Sequence, residues 1–326
     1  MSNSLNSLSW RQIWRQNYYR WDILADFLEL STENRQLIYE NPRFPLNLPL
    51  RLANKIAKGT LDDPILRQFL PLKEELNTVT GFCGDPIEDA SFKKTSKLLQ
   101  KYDGRVLLVC TGACVMNCRF CFRQNFDYEV ENNSFAEELE VISADPTISE
   151  VILSGGDPLS LADSTLEKLL GALDQIPHIK RIRFHTRFPI GIPERIDDSF
   201  LDMLSKIRAQ IWFVVHTNHA NELDDDVLVH LKKLQKLGIV LLSQTVLLKG
   251  VNDNVKTLKD LFEKLSNNGI APYYLHQLDK VQGAAHFEVS AKDGKQFIQE
   301  IAKQLSGYAV PKFVCEIPGE PGKTIL

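Results

Sequence analysis

From residue 104 onward the chain alternates short, β-branched runs with amphipathic stretches of helix length, and this alternation restricts the fold more than any other feature. Strand-like runs are Arg105–Cys110, Glu150–Ser154, Arg181–Thr186, Ile211–His216, Ile239–Leu248, Pro272–Gln277 and Lys312–Ile317. Helical stretches lie between them near 135–144, 164–175, 198–207, 224–236, 255–267 and 293–306. Two of these open on Ser-x-x-Glu, Ser134 to Glu137 and Ser164 to Glu167, the pattern of a capping box. Strands alternating with helices of this length imply βαβ units and a parallel sheet. Six or seven units exceed a small flavodoxin-like sheet and suit a full or partial barrel. The expected class is therefore α/β, a partial (β/α)6-type barrel, with its chemistry at the C-terminal ends of the strands.

Residues 1–100 read as a mainly helical and irregular region, so the expected division is 1–100 and 101–326. Trp10, Ile13, Trp14, Tyr18 and Trp21 recur at the spacing of one helix face, a stripe suited to packing on the main body. Pro42, Pro45 and Pro49 interrupt the next segment, and Pro64 and Pro71 bracket another short helix. With 44% hydrophobic and 25% charged residues over 326 positions, the chain can bury a core and is not a disordered one. A net charge of −4 offers no field that would gather nucleic acid. No apolar run approaches the ~18 residues of a membrane span. Met1–Ser9 is rich in Ser and Asn and lacks the basic and apolar parts of a secretion signal. A soluble, cytoplasmic protein is expected.

Of six cysteines, Cys83, Cys110 and Cys315 are scattered and expected to be small buried residues. Cys114, Cys118 and Cys121 form C-x3-C-x2-C directly after the strand Arg105–Cys110. Three thiolates are one short of a closed tetrahedral zinc site, and no His lies between them. They suit a [4Fe–4S] cluster with one iron left open to substrate or cofactor. A zinc knuckle completed by a distant Cys or His is the alternative. A ferredoxin-type carrier would need a fourth nearby Cys, which the sequence lacks. The next strand ends in Ser154-Gly155-Gly156-Asp157-Pro158, where two glycines permit close approach to a ligand and Asp157 could accept from an ammonium group. Near the end, Pro318-Gly-Glu-Pro-Gly-Lys323-Thr324 looks like a phosphate loop, but the position that should hold its first glycine is Ile317. A lysine on such a loop suits a Schiff base with a carbonyl cofactor; an ordinary solvated lysine is the alternative.

The cysteine loop and the glycine pair together resemble the radical S-adenosylmethionine superfamily. Cys114-x-x-x-Cys118-x-x-Cys121-x-Arg123, Ser154-Gly-Gly-Asp-Pro158, Leu278-Asp279-Lys-Val-Gln-Gly283 and Gly319-Glu-Pro-Gly-Lys323-Thr324 resemble the lysine 2,3-aminomutase family more closely. The likeness runs from Asp63-Pro64, through Gly84-Asp85-Pro86, to the last residues. It implies a radical S-adenosylmethionine partial barrel carrying a [4Fe–4S] cluster, S-adenosylmethionine and pyridoxal 5′-phosphate. Cys114, Cys118 and Cys121 would bind iron. Lys323 would carry pyridoxal phosphate, and Arg105 would hold its phosphate. Gly155, Gly156, Asp157, His216 and Gln244 would meet S-adenosylmethionine. Arg123 would face the substrate carboxylate, and Asp279 and Glu316 the terminal ammonium of lysine. The family usually has Asp where this chain has Glu316, which bears on how deep the substrate sits.

The resemblance further implies an isomerase that converts L-α-lysine to (R)-β-lysine. The chain stops three residues after Lys323 and in this resembles a shorter branch that serves modification of elongation factor P. Implied partners are small-molecule lysine, an electron donor such as flavodoxin or ferredoxin, and a functional link to the ligase that modifies elongation factor P. No nucleic-acid or membrane partner is expected, and a homo-oligomer is left open. The hydrogen on C3 of lysine is not acidic, so no positioned carboxylate or imidazole removes it by proton transfer; the cofactors are needed for that. An aminomutase of another amino acid, such as glutamate, and a non-catalytic Fe–S or zinc interaction protein are the rival readings. Of the remaining histidines, His178 and His230 are expected at the surface, while His219 and His276 could line the site without an assigned role.

Overall fold

The computed structural model describes residues 8–126, 128 and 134–326; most of the segment Met1–Ser9 lies outside them. Among the described residues, nine strands form one sheet in sequence order: β1 (Leu98–Tyr102), β2 (Arg105–Thr111), β3 (Glu150–Gly155), β4 (Arg181–Thr186), β5 (Gln210–His216), β6 (Val240–Val246), β7 (Ala271–His276), β8 (Lys312–Cys315) and β9 (Thr324–Ile325). From β2 to β8 every neighbour is parallel, and β1 and β9 join the edges antiparallel. The architecture is an open, partial (β/α) barrel. All seven expected strands are present, with ends shifted by at most two residues and β4 unshifted.

β1 and β9 add to what the sequence pattern anticipates. The β1–β2 hairpin turns on Asp103-Gly104, with Tyr102 opposite Arg105 and Gly104 at φ +73°. Asp-Gly between paired strands is a two-residue hairpin signal, and the sequence carries it.

The crossovers carry the helices: α5 (Ala136–Ala144), α6 (Asp163–Gln175), α8 (Asp198–Ser205), α9 (Asp225–Lys236), α10 (Val255–Asn267) and α11 (Ala291–Ala302). A single turn, α7 (Phe188–Gly191), precedes α8, and α1 (Trp10–Trp14), α2 (Trp21–Phe27), α3 (Thr32–Arg35) and α4 (Leu50–Ala53) lie in the first hundred residues. Neither expected capping box forms. α5 begins after Phe135, with Ser134 Oγ accepting from Ala136 N; α6 begins one residue before Ser164, after Ala162. Asp163, now inside the first turn, pairs with Arg195 (Nη2–Oδ1 2.8 Å). Ser9 and Gln12 instead form a capping box at α1.

Strand alternation separates two faces. Val151, Leu153, Ile182, Phe184, Ile211, Phe213 and Val215 are buried and point outward beneath the helices. Phe184 stacks on Phe213 (4.6 Å between ring centres), and Phe200 of α8 meets both edge-on. Burying such rings contributes about 1.5–3 kcal/mol each. The alternate positions, among them Glu150, Arg183, His185, Trp212, His216 and Gln244, line a cavity inside the sheet. Most barrels fill this space with apolar side chains; here charged and polar groups share the lining with apolar ones and the space is open.

The N-terminal region wraps the end of the barrel where the cysteine loop sits. The Trp stripe does not form one helix, because α1 stops at Trp14 and Tyr18 pairs with Leu48. It packs on the main body all the same, with Trp10 and Trp14 edge-on to Phe188 at 5.6 Å each. Two buried amides then clamp the loop. Asn17 Nδ2 donates to Asn47 Oδ1 and Val115 O (2.7 Å each), and Asn47 Nδ2 donates to Cys114 O (2.9 Å). Asn117 Nδ2 reaches Pro45 O (2.9 Å), and Arg119 Nη1 reaches Phe44 O (2.6 Å). Leaving a buried polar group unpaired costs about 1–3 kcal/mol. Asn47→Ala should therefore lower stability by about that amount in denaturant unfolding and expose the cysteine loop to faster amide exchange.

Candidate active site

A cavity of about 910 Å³ occupies the inside of the barrel. Cys114, Cys118, Cys121, Arg105, Arg123, Gly155, Gly156, Asp157, His216, Gln244, Asp279, Glu316 and Lys323 all line it. Residues widely separated in sequence thus share one space.

The cysteine loop leaves β2 at its C-terminal end, beside the end of β3. Gly155 and Gly156 are required there by the chain's own close packing. A Cβ on Gly156 would lie 2.2 Å from Ala113 O, and one on Gly155, at φ +116°, would lie 2.6 Å from Thr111 O. Burial pushes all three thiols upward, Cys121 to about 11, and at Cys118 the Arg187 guanidinium opposes the rise. Among the described residues, no three His, Cys, Asp or Glu side chains converge on a point suited to one metal ion. Three thiols on one loop with no His among them are a donor set that fits a multi-iron cluster better than a single zinc. The other cysteines divide: Cys110 is buried, Cys315 half-buried and Cys83 exposed, the last against expectation because its loop lies at the surface.

Asp157 does not present its carboxylate to a ligand. Thr186 Oγ1 donates to both of its oxygens (2.8 and 2.9 Å), Arg187 N and Phe188 N to Oδ2 (2.8 and 3.0 Å), and Leu159 N to Oδ1 (3.0 Å). Burial lifts its pKa to about 6 against these bonds. The group ties the end of β3 to the end of β4, a positioning role. His216 and Gln244 are register partners at the ends of β5 and β6. His216 packs edge-on against Phe120 (5.7 Å), and its Nε2 is buried without a hydrogen bond.

Arg123 is buried and held by Asp89 (Nε–Oδ2 2.9 Å) and Ser154 (Nη1–Oγ 3.2 Å). Lys101 holds the other oxygen of Asp89 (2.9 Å). Burial would raise the Asp89 carboxyl, but the two cations outweigh it and hold the group below its usual range. Arg105 stands over the Tyr102 ring (4.4 Å) and makes no ion pair among the described residues, as a phosphate-binding cation requires.

At the open seam between the edge strands β1 and β9, Glu316, which directly follows β8, links the two edges. It accepts from Tyr102 Oη (2.5 Å) and pairs with Lys323 Nζ (2.6 Å), with Lys101 at 4.0 Å. Burial raises Glu316, and the Lys323 cation overcomes it, holding the group ionised and low. Asp279 makes no side-chain hydrogen bond among the described residues; burial raises its pKa to about 6, opposed by Lys323.

Sequence reasoning misses several lining residues: His185, Arg183, Trp212 and Tyr274. Their signal is the alternation itself, Arg181-Ile-Arg-Phe-His-Thr186, which puts Arg181, Arg183 and His185 on one face. His185 Nε2, Trp212 Nε1 and His276 Nε2 are buried without partners, as is His216 Nε2. Buried polar atoms of this kind are ordinarily hydrogen-bonded; a polar ligand in the cavity would satisfy them. Burial holds His185, His216 (to about 3) and His276 below the usual range, so all three imidazoles are neutral near pH 7. His219 is not part of the lining; its Nδ1 accepts from Asn221 N (3.1 Å) and caps a turn.

Asp279 gives a pH-dependent prediction. Its folded pKa lies above its unfolded value, so its contribution to stability is greatest at low pH and falls as pH rises from about 4 through about 6. Asp279→Asn should therefore stabilise the cofactor-free protein at pH 7.5, on the order of 2 kcal/mol, and hardly at all at pH 4. Thermal melts of both proteins across that range check the sign; a less stable variant at pH 7.5 would contradict it.

No family model matches the chain. Among curated proteins it is similar to the L-lysine 2,3-aminomutase of Escherichia coli (strain K12), 44% identical over 94% of this chain and 90% of that one. The L-lysine 2,3-aminomutase of Haemophilus influenzae is 43% identical over 93% and 91%. Among solved structures it is similar to a radical SAM methyltransferase from Sphaerobacter thermophilus, with TM-score 0.48 and 16% identity over 67% and 68% of the two chains. That structural likeness does not bear on the assignment. Identity above two-fifths along nearly the whole of both partners, in a chain whose cysteine loop, acid pair and loop lysine share one cavity, is decisive: the chain belongs to the lysine 2,3-aminomutase family of isomerases.

Proposed function

We propose that this protein is a radical S-adenosylmethionine lysine 2,3-aminomutase that turns L-α-lysine into (R)-β-lysine. The observation carrying this reading is that the three thiols, Lys323 and the carboxylates of Asp279 and Glu316 face one cavity. The cofactors are a [4Fe–4S] cluster on Cys114, Cys118 and Cys121, S-adenosylmethionine beside Gly155, Gly156, His216 and Gln244, and pyridoxal phosphate on Lys323 with Arg105 at its phosphate. When bound, these groups supply a radical able to take a non-acidic hydrogen and a carbonyl that lets nitrogen change carbon.

The protein's own part is binding, orientation and exclusion of water. Arg123, fixed at Nε by Asp89, turns its remaining N–H groups to the substrate carboxylate. Asp279, free of other hydrogen bonds among the described residues, takes the far ammonium, whose burial without a carboxylate would be costly. Lys323 gives up its pairing with Glu316 when its amine is engaged by the cofactor, and Glu316 then serves the substrate ammonium while Tyr102 keeps it in place. Neutral His185, His216 and His276 can hydrogen-bond without adding charge. Two carboxylates at the side-chain end favour lysine over glutamate as substrate.

The finer reading is the one that the family resemblance suggests: β-lysine made in the cytoplasm for the ligase that modifies elongation factor P, with electrons from a flavodoxin or ferredoxin. No helix among the described residues is long and apolar enough to cross a membrane, which is compatible with that location. The residues before β1 serve as the wrap and those from Leu98 onward as the catalytic barrel, which moves the expected boundary at 100 to the start of that strand, with the chain acting singly or as a homo-oligomer.

Two variants test the assignment. Borohydride treatment of the protein loaded with pyridoxal phosphate should place the pyridoxyl label on Lys323, and Lys323→Ala should lose label and β-lysine formation while keeping its iron. Cys118→Ala should lose the [4Fe–4S] spectrum and turnover. A label on another lysine, or a full cluster in Cys118→Ala, would contradict the reading.

A further inference from the structure

The cysteine loop is not symmetrical. Cys118 is the most buried of its three thiols, and it alone receives a guanidinium among the described residues: Arg187 Nη1 lies 2.8 Å from its Sγ. Arg187 is 4% exposed and belongs to none of the recognised motifs. Its backbone N is held by Asp157 (2.8 Å). Its Nη2 is held by Gln68 Oε1 (2.7 Å) and Glu222 Oε2 (3.0 Å). Glu222, fully buried, is itself bonded by Gln68 Nε2 (2.9 Å), Thr217 Oγ1 (3.1 Å) and Asn218 N (3.2 Å). Rings of Phe69 and Phe120 flank the cation at 5.1 and 5.5 Å. Water is thus excluded around a charged donor whose direction is fixed at several points.

A charge so costly to bury is retained here with a set of fixed partners and one N–H group directed at sulfur. Arg119, a buried arginine inside the cysteine loop, differs: its fork goes to Glu75 and Phe44 O.

We propose that Arg187 is a positioning residue that tunes the redox poise of the cluster through Cys118. The inference rests on the reading that Cys114, Cys118 and Cys121 carry a [4Fe–4S] cluster. In its one-electron reduction an electron from a low-potential iron–sulfur or flavin donor takes the cluster from its 2+ to its 1+ state. The added negative charge spreads onto the thiolates. Hydrogen bonds to cluster sulfur and nearby charge raise the potential by favouring that state, and exclusion of water strengthens both effects. Gln68 comes from the N-terminal wrap, and its carbonyl also accepts from Arg119 N (2.9 Å), so this region sets the donor as well as covering the loop.

The test is an EPR-monitored redox titration of the anaerobically reconstituted full-length protein, with dithionite and mediators and without S-adenosylmethionine. The parent is compared with Arg187→Lys and with the double variant Arg187→Met, Glu222→Gln, which leaves no buried carboxylate unpaired. Iron and sulfide are measured on each. The double variant should fill with iron yet be harder to reduce by about tenfold or more in the reduction equilibrium, ~59 mV per tenfold for one electron. Arg187→Lys keeps the charge and should shift less, in the same direction. Should the double variant fail to hold a cluster, Arg187→Lys alone decides. Iron-replete variants that titrate at the parental midpoint overturn the proposal and leave Arg187 a packing residue. A parent that takes up no four-iron cluster overturns the underlying cysteine assignment instead, and this proposal with it.

Discussion

The structure depends on keeping a cavity open inside a barrel, with charged and polar groups set into a lining that is otherwise largely apolar. Alternate strand positions that usually fill such a space with Val, Ile and Leu here include Glu150, Arg183, His185, His216 and Gln244 beside Ile152 and Leu242. Those groups lose water when the chain folds, so the rest of the fold has to compensate. Part of the compensation is local: Glu150 takes Arg181 and Arg183, Asp89 takes Arg123 and Lys101, and Glu316 takes Lys323 and Tyr102. The rest lies on the outer face, where Phe184, Phe200 and Phe213 interlock beneath the helices. Ring nitrogens of His185, Trp212, His216 and His276 are left for a ligand to satisfy.

The first hundred residues belong to the same arrangement. Their short helices set Trp10, Leu24 and Leu52 into the common core, and their polar groups converge on the cysteine loop: Asn17 and Asn47 on its backbone, Pro45 O on Asn117, Gln68 on Arg119 and Arg187. The loop anchors Val115, Met116 and Phe120 in the core, and the outer layer holds its backbone and polar groups between them. Asp157, by joining the ends of β3 and β4, does the same from within.

Much of this is legible in the sequence. Period-2 and period-3.6 patterns place the strands β2 to β8 and their helices, because both faces of the sheet impose strong constraints on side-chain type. The cysteine triplet and Lys323 stand out because their chemistry has few other uses. The features that stay hidden share a cause. Arg183 and His185 sit on the polar side of an alternating strand, and an inward polar face looks the same in sequence as an outward one. Gly155 and Gly156 read as room for a ligand, whereas Thr111 O and Ala113 O occupy that room. Asp157 looks like a ligand group, since spacing alone does not reveal that four backbone and side-chain donors converge on it. The capping boxes fail because the helix starts lie elsewhere, at Ala136 and Asp163.

The central claim is that this cavity moves the amino group of lysine from C2 to C3, and isotopic tracing reads that step directly. The reconstituted protein, with S-adenosylmethionine, pyridoxal phosphate and a reductant, is incubated without oxygen with lysine carrying ¹⁵N at its α-amino group. The account predicts 5′-deoxyadenosine in the mixture and β-lysine whose ¹⁵N is bonded to C3. Release of the label as ammonia, or cleavage of S-adenosylmethionine that leaves lysine unchanged, would contradict it.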